Sequence, residues 1–164
     1  MKLFQENEAQ KKDEEKELVK FLSKVTIFNK LSKKDLKNLR QYFYLRNFKS
    51  GEIIFKKDYP NVVFYILKQG ELKVFLKVKD KEIELDRIKP QQYFGEMGIF
   101  LEEKRSASIV ALEDSEVLAI SKADLKNFID KFPRAGNKIL FKFGEILCTH
   151  VMNLNKKINE MEEA

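Results

Sequence analysis

Residues 64–78 read FYILKQGELKVFLKV, and this stretch decides the fold class. Its first four residues form a continuous apolar run. Its second half alternates in character, with Leu72, Val74, Leu76 and Val78 set against Lys73, Phe75 and Lys77. A period of two is typical of a β-strand, and Gly70 between the two halves indicates a turn. The stretch therefore predicts two consecutive strands.

Further short strands are predicted on both sides of this pair. The apolar run Ile53–Phe55 precedes it, and the alternating segments 82–88, 106–112 and 116–120 follow it. Turns are indicated between them at Gly51, Lys79–Lys81 and Lys89–Gln91. Many short strands separated by turns at regular intervals are typical of a roll or barrel. We expect an antiparallel β-roll, a jelly-roll-like double-stranded β-helix.

Helical patterns flank the predicted roll, which makes the fold class α+β. A charged helix is predicted from about Glu8 to Lys24, and a short second helix follows Ser32, with Asp35 completing a capping box. After the strands, Ser121 and Asp124 indicate the start of another helix. We expect N-terminal helices before the roll and a pair of hinge and lid helices after it.

The C-terminal helix carries a repeat of its own. Pro133 is expected to end the preceding helix, and a longer helix then runs towards Glu160 with apolar residues seven apart, at Leu140, Leu147, Leu154 and Met161. Three regions result: a charged helix at 1–24, the roll at 25–133, and a lid or dimerisation helix at 134–164. This last helix predicts a homodimer, and packing onto its own roll is the alternative.

Composition limits the function classes. The 164 residues suffice for one domain, and a formal net charge of +6 favours an anionic ligand. One histidine, His150, and one cysteine, Cys148, argue against a metal site or an internal disulfide, so no metal or cofactor is expected. The dispersed basic residues argue against nucleic acid as a partner. No segment reads as a signal peptide or membrane span, which predicts a cytoplasmic protein without a membrane partner.

Two neighbouring segments contain the residues best suited to bind a ligand. Residues 94–100 read FGEMGIF, and residues 105–108 read RSAS. Gly95 and Gly98 permit a tight backbone whose N–H groups converge, and a short helical turn there would direct its positive end towards a phosphate. Arg105 could add a two-pronged donor to the same anion, and Glu96 suits a hydroxyl donor such as that of a ribose. The segment predicts a sugar-phosphate site.

These residues and their spacing resemble the phosphate-binding cassette of the cyclic-nucleotide-binding domains found in catabolite activator proteins, kinase regulatory subunits and cyclic-nucleotide-gated channels. The segments 48–54, 64–71 and 117–120 resemble other strands of that family. The resemblance covers roughly residues 25–132. Two loops depart from the family pattern, because residues 90–92 and 57–61 contain fewer glycines than is usual there.

The resemblance implies a ligand-binding set made of Gly95, Glu96, Met97, Gly98, Arg105, Ser106, Ala107 and Val74. In it, Glu96 would bind the ribose 2′-hydroxyl and Arg105 the exocyclic phosphate oxygens. Backbone amides of the glycine turn and of Ser106–Ala107 would complete the cradle, and Val74 would lie under the base. Such domains perform no catalysis, so the chain is expected not to be an enzyme.

Some alternatives stay open at this point. Ser106 could contact the phosphate or a guanine edge, or it could be a strand serine with no ligand contact. Cys148, Thr149 and His150 are candidates for lid contacts to the base, or they could face solvent. The ligand is expected to be cyclic AMP in preference to cyclic GMP, and the effector is unknown. A structural or dimerising protein with a vestigial cassette is the competing interpretation.

Overall fold

The computed structural model describes the backbone of residues 2–79 and 81–162 and the side chains of residues 12–79, 81–156 and 158–161. Met1, Asp80, Glu163 and Ala164, which belong to the predicted charged helix, a predicted turn and the predicted C-terminal region, lie outside the described residues. The described elements are α1 (Lys2–Leu22), α2 (Lys33–Leu39), β1 (Tyr44–Phe48), β2 (Ile53–Phe55), β3 (Val63–Gln69), β4 (Leu72–Val78), β5 (Lys81–Ile88), β6 (Tyr93–Phe94), α3 (Met97–Phe100), β7 (Ser108–Ala111), β8 (Ser115–Ser121), α4 (Lys122–Lys131) and α5 (Pro133–Glu162).

The strands form two antiparallel four-stranded sheets. One has the order β1-β8-β3-β6 and the other the order β2-β7-β4-β5. Residues of both sheets, including Leu67, Leu72, Ile109 and Val117, share one apolar core between the sheets. The α+β class and the antiparallel β-roll with helices before and after it are confirmed.

Strand β3 shows why residues 64–67 read as a continuous apolar run. Tyr65 and Leu67 face the core inside the roll. Phe64 and Ile66 face the opposite way, into a second core that the helices share with the outer side of this sheet. A strand covered on both faces needs apolar residues at every position, so its period of two disappears from the sequence.

The predicted starts of α2 and α4 are confirmed, whereas α1 begins at Lys2, before the predicted start near Glu8. Ser32 accepts a hydrogen bond from the Asp35 backbone N–H, and the Asp35 carboxylate accepts one from the Ser32 backbone N–H, which completes the capping box of α2. Ser121 caps α4 by accepting from the Asp124 N–H at 2.9 Å. Helix α1 ends at Leu22, two residues before the predicted end, where the Ser23 hydroxyl donates to the Lys20 carbonyl at 2.7 Å.

Two strand details differ from the prediction. Phe75 lies on the lysine side of β4 yet is buried, and the Lys73 ammonium lies 5.5 Å from its ring centroid, so part of the lysine chain covers the ring.

Strand β7 begins at Ser108, two residues after the predicted start of that strand. Arg105 therefore lies in a loop, where its backbone pairs with another loop.

Helix α5 has two distinct halves. Its first part packs on the roll through Ala135, Ile139 and Phe143, which are all buried. Every residue from Leu147 to Met161 whose side chain is described is exposed. Among the described helices, none is both long enough and apolar enough to cross a lipid bilayer.

Candidate functional site

A cleft opens between the two sheets beside α3. Its empty volume, including the part open to solvent, is about 470 Å³. It is lined by Phe55, Asn61, Val74, Phe94, Gly95, Glu96, Met97, Arg105, Ser106, Ala107 and Ile109. The structure thus brings together seven of the eight residues in the predicted set. The eighth, Gly98, lies behind the lining.

Arg105 is the central polar group of this cleft. It is only 4% exposed, and its Nη2 donates to the Val63 carbonyl at 2.8 Å. Its guanidinium carbon lies 3.9 Å from the ring centroid of Phe55 and 5.5 Å from that of Tyr65, which gives the cation two aromatic faces. Burial lowers the pKa of Arg105 below its usual value, against the opposing effect of Tyr65 and Glu96.

Two donor atoms of Arg105 have no partner. Its Nε and Nη1 are buried and donate to no acceptor in the part of the chain that the structure describes. An unsatisfied buried donor is costly, and more so when it is charged. An anion placed in the cleft next to the guanidinium would remove this cost, provided that these atoms become accessible to it.

A loop fixes the backbone of Arg105. The Arg105 N–H donates to the Tyr59 carbonyl at 2.9 Å, and the Asp58 N–H donates to the Arg105 carbonyl at 2.9 Å. Pro60 and Lys104 form an isolated antiparallel bridge next to these bonds. This pairing replaces the predicted start of strand β7, and it places the arginine at the wall of the cleft.

The two glycines are needed for close approach. Gly95 has a φ of +79°, and a Cβ there would overlap Arg105 Nη1 and lie 2.9 Å from the Val63 carbonyl. A Cβ on Gly98 would overlap the Asn61 carbonyl oxygen. Any larger residue would therefore push the turn away from the arginine or from the loop. The predicted tight backbone is present. It allows Gly95 to pack against Arg105 and Gly98 to pack against Asn61.

Glu96 ends the turn and precedes α3, the short helical turn that the sequence predicted. Its side chain makes no capping hydrogen bond to α3, is half-buried and lines the cleft. Burial together with the charge of Glu96 raises the pKa of Tyr93 to about 12, so Tyr93 stays a neutral hydroxyl. Because the Glu96 carboxylate does not cap α3, it is available to a hydrogen-bond donor from a ligand.

Of the remaining predicted residues, some line the cleft and others lie away from it. Met97 and Ser106 are exposed at the cleft, whereas Ala107 is buried. Cys148, Thr149 and His150 do not line the cleft; all three are exposed on α5, where the Thr149 hydroxyl donates to the Glu145 carbonyl at 2.8 Å. The structure does not bring these three residues to the site.

Sequence reasoning missed four lining residues: Phe55, Asn61, Phe94 and Ile109. Alternation along their strands could have indicated that Phe55, Phe94 and Ile109 face the roll interior. Asn61 gives no comparable signal, because it lies in the loop before β3 and its position depends on the distant pairing of that loop with Arg105.

Comparison with known proteins identifies the family of this chain. The family described as "Cyclic nucleotide-binding domain" matches residues 45–132, more than half of the chain. The chain is 29% identical over 114 residues to a protein named cyclic AMP receptor protein from Thermus thermophilus, covering 69% of this chain and 53% of that protein. It is 33% identical over 100 residues to a cGMP-dependent protein kinase from Plasmodium berghei, covering 61% of this chain and 11% of the kinase.

Solved structures show the same architecture. The catabolite activator protein of Thermus thermophilus superposes with a TM-score of 0.73 at 25% identity, covering 84% of this chain and 63% of that chain. The N-terminal domain of a Streptomyces coelicolor transcriptional regulator gives a TM-score of 0.75 at 21% identity, over 82% of this chain and 94% of that chain, which shows the shared fold. The chain spans about half, or less, of the length of the curated relatives that it matches. From the match over residues 45–132, the chain belongs to the cyclic nucleotide-binding domain family.

Proposed function

We propose that this chain is a non-catalytic sensor that binds a cyclic nucleoside monophosphate in the cleft beside α3. The observation that carries the proposal is Arg105, a buried cation in the wall of the cleft, with two donor atoms that have no partner among the described residues. Cyclic AMP is the first ligand to test and cyclic GMP the second. The proposal includes a cytoplasmic location and no contact with nucleic acid or membrane.

Each group of the cleft has a role in this proposal. Arg105 binds the exocyclic phosphate oxygens with its unpaired donors, and Glu96 accepts a hydrogen bond from the ribose 2′-hydroxyl. Backbone amides of Gly95–Gly98 and Ser106–Ala107 complete the phosphate cradle. Val74, half-buried in the lining, lies under the base.

The binding signal leaves the cleft through α3 and α5. Phe100, the last residue of α3, packs edge-to-face on Phe143 of α5 with ring centroids 5.2 Å apart. Phe143 also contacts Phe64 at 5.9 Å and Tyr93 at 6.0 Å. A ligand that draws Glu96 and α3 inwards would move Phe100 and so favour a different position of α5.

The C-terminal half of α5 is proposed to be both lid and dimer seam. Leu147, Val151, Leu154 and Ile158 are 46%, 55%, 59% and 54% exposed, and they repeat with four-three spacing along one face. Pairing with a second copy would remove this face from water. Cys148, Thr149 and His150 would reach the base only if α5 moves towards the cleft. The effector that reads this movement is a partner protein or another segment of a longer chain.

Thermal unfolding with and without nucleotide tests the function. A ligand present at a hundred times its Kd adds about 2.7 kcal/mol to the free energy of unfolding, which corresponds to a rise in Tm of roughly 5–10 °C for a chain of this size. We expect that rise with cyclic AMP or cyclic GMP and none with adenosine. A vestigial cassette predicts an unchanged Tm with every nucleotide.

Glu96→Ala is expected to weaken cyclic nucleotide binding about tenfold to a hundredfold, because it removes one hydrogen bond between the carboxylate and a neutral hydroxyl, worth about 1.5–3 kcal/mol. It should also reduce the difference in affinity between ribose and 2′-deoxyribose cyclic nucleotides, which calorimetric titration measures. Glu102→Ala, an exposed glutamate outside the cleft lining, is the matched control. An unchanged preference for the ribose form in Glu96→Ala would contradict the assigned contact.

Leu154→Glu is expected to shift the protein from dimer to monomer, because it places two like charges across the seam in place of two apolar side chains. Light scattering at high micromolar concentration measures the change in mass. Asn153→Glu is the control, since the neighbouring residue of a helix points about 100° away. A monomeric mass for the unmodified chain, with and without nucleotide, would remove the dimer and leave only the lid.

A further inference from the structure

Asn61 is a buried polar residue of the cleft that the cassette motif leaves without a role. It is only 8% exposed, it lines the same cleft as Arg105 and Glu96, and its Oδ1 is buried without a donor among the described residues. A buried carboxamide oxygen is normally hydrogen-bonded, because leaving it unpaired opposes folding. Because this oxygen belongs to a residue that lines the cleft, its lack of a partner indicates a side chain whose hydrogen bonding a ligand would complete.

The surroundings of Asn61 hold it at the junction of the two halves of the cassette. Its carbonyl oxygen would overlap a Cβ built on Gly98, and its Cγ and Oδ1 would each lie 2.5 Å from that Cβ. On the other side, the loop that carries Asn61 pairs with the backbone of Arg105 through Asp58 and Tyr59. The backbone of Asn61 is therefore held between the glycine turn and the loop that carries Arg105.

We infer that Asn61 is a further ligand-binding residue, whose carboxamide NH₂ donates to a phosphate oxygen of the bound cyclic nucleotide. This inference rests on the proposed function. The phosphate of the ligand is negatively charged, so it needs donors around it. The Asn61 carboxamide oxygen, an acceptor, would face the phosphate unfavourably. Rotation about the soft Cβ–Cγ torsion exchanges the oxygen and nitrogen of the carboxamide without moving the backbone. The phosphate then supplies the acceptor that the inward-facing NH₂ needs.

A pair of substitutions at this position tests the contact. Asn61→Ala removes the donor and is expected to weaken cyclic AMP binding about tenfold, as measured by calorimetric titration. Asn61→Asp has nearly the same shape but places a carboxylate opposite the phosphate, and it is expected to weaken binding about a hundredfold or more. Asn47→Ala and Asn47→Asp, at an exposed position of β1, are matched controls that should leave the affinity unchanged.

The melting temperature without ligand separates this contact from a structural role. Asn61→Ala removes an unsatisfied buried acceptor, so its Tm should equal or exceed that of the unmodified chain. Asn61→Asp brings an anion into the cleft that holds the unpaired donors of Arg105, so its Tm should rise. Should Asn61→Ala fail to fold, Asn61→Ser keeps a small polar side chain there and is expected to show the same loss of affinity.

Two results would overturn the inference. One is an affinity of folded Asn61→Ala, or of Asn61→Ser in its place, within about twofold of the unmodified chain. The other is binding by Asn61→Asp as tight as that of Asn61→Ala, which would mean that no phosphate oxygen lies opposite. If the unmodified chain binds neither cyclic AMP nor cyclic GMP, the proposed function itself fails, and this result is obtained before any variant is compared.

Discussion

Replacing Arg105 with alanine is expected to weaken cyclic nucleotide binding by about 2–4 kcal/mol, because truncating one member of a buried charged pair leaves the other charge unpaired. That loss corresponds to roughly a 30-fold to 1,000-fold higher Kd. In the unliganded protein the same side chain makes one hydrogen bond, to the Val63 carbonyl, and leaves Nε and Nη1 unsatisfied. Losing these contacts lowers the free energy of unfolding, and removing the unsatisfied donors raises it. The two effects offset each other, so the free energy of unfolding without ligand should change by much less than the free energy of binding.

Two further variants make the Arg105 result specific. Arg105→Lys keeps the charge but loses the planar fork, so its affinity should lie between those of the unmodified chain and Arg105→Ala. Arg46→Ala, an exposed arginine on β1 outside the cleft, should bind normally. Calorimetric titration of all four proteins with cyclic AMP gives the comparison. Unchanged affinity in a folded Arg105→Ala variant would mean that the ligand, if any, binds elsewhere.

Replacing Phe143 with alanine is expected to lower the free energy of unfolding by about 3–5 kcal/mol, the usual cost of deleting a buried aromatic ring. Phe143 is 2% exposed, and its ring contacts those of Phe64, Tyr93 and Phe100. The deletion would leave a cavity where α5, α3 and the outer side of the β3 sheet meet. Urea denaturation measures the loss. Phe141→Ala, two residues earlier and 77% exposed, should change stability by less than about 1 kcal/mol.

A second substitution at the same position tests the proposed route from the cleft to α5. Phe143→Leu retains most of the apolar volume but loses the edge-to-face contact with Phe100, so it should fold. Hydrogen exchange of the α5 amides, compared with and without cyclic AMP, should respond to ligand in the unmodified chain and respond much less in Phe143→Leu. An equal ligand response in both proteins would show that the signal, if present, does not pass through this contact.

The sequence predicted the architecture well because the roll is built from local signals. The turns at Gly51 and Gly70 have φ values of +85° and +96°, a conformation that glycine adopts readily. The caps at Ser32 and Ser121 start α2 and α4 as the short-range pattern indicates. The cassette residues from Gly95 to Ala107 also lie together, because most of them are close in sequence.

What the sequence did not predict depends on distant contacts. A strand was predicted to begin at residue 106, directly after Arg105, but pairing with the loop at Asp58 and Tyr59 holds Arg105 in a loop and the strand begins at Ser108. Asn61 was missed for the same reason, since neither periodicity nor a motif marks it. Phe75 was read as lying on a polar face, yet the chain of Lys73 helps to cover it. Each of these outcomes depends on a neighbour that is remote in sequence or on how a long side chain folds over the surface.

Calorimetric titration of the unmodified chain with cyclic AMP and with cyclic GMP tests the central claim most directly, with Arg105→Ala titrated in parallel. The account predicts saturable binding of at least one nucleotide, one ligand per chain, and an affinity at least about 30-fold weaker in the variant. An unmodified chain that is folded but gives no binding heat and no change in Tm at millimolar concentrations of either nucleotide would contradict it.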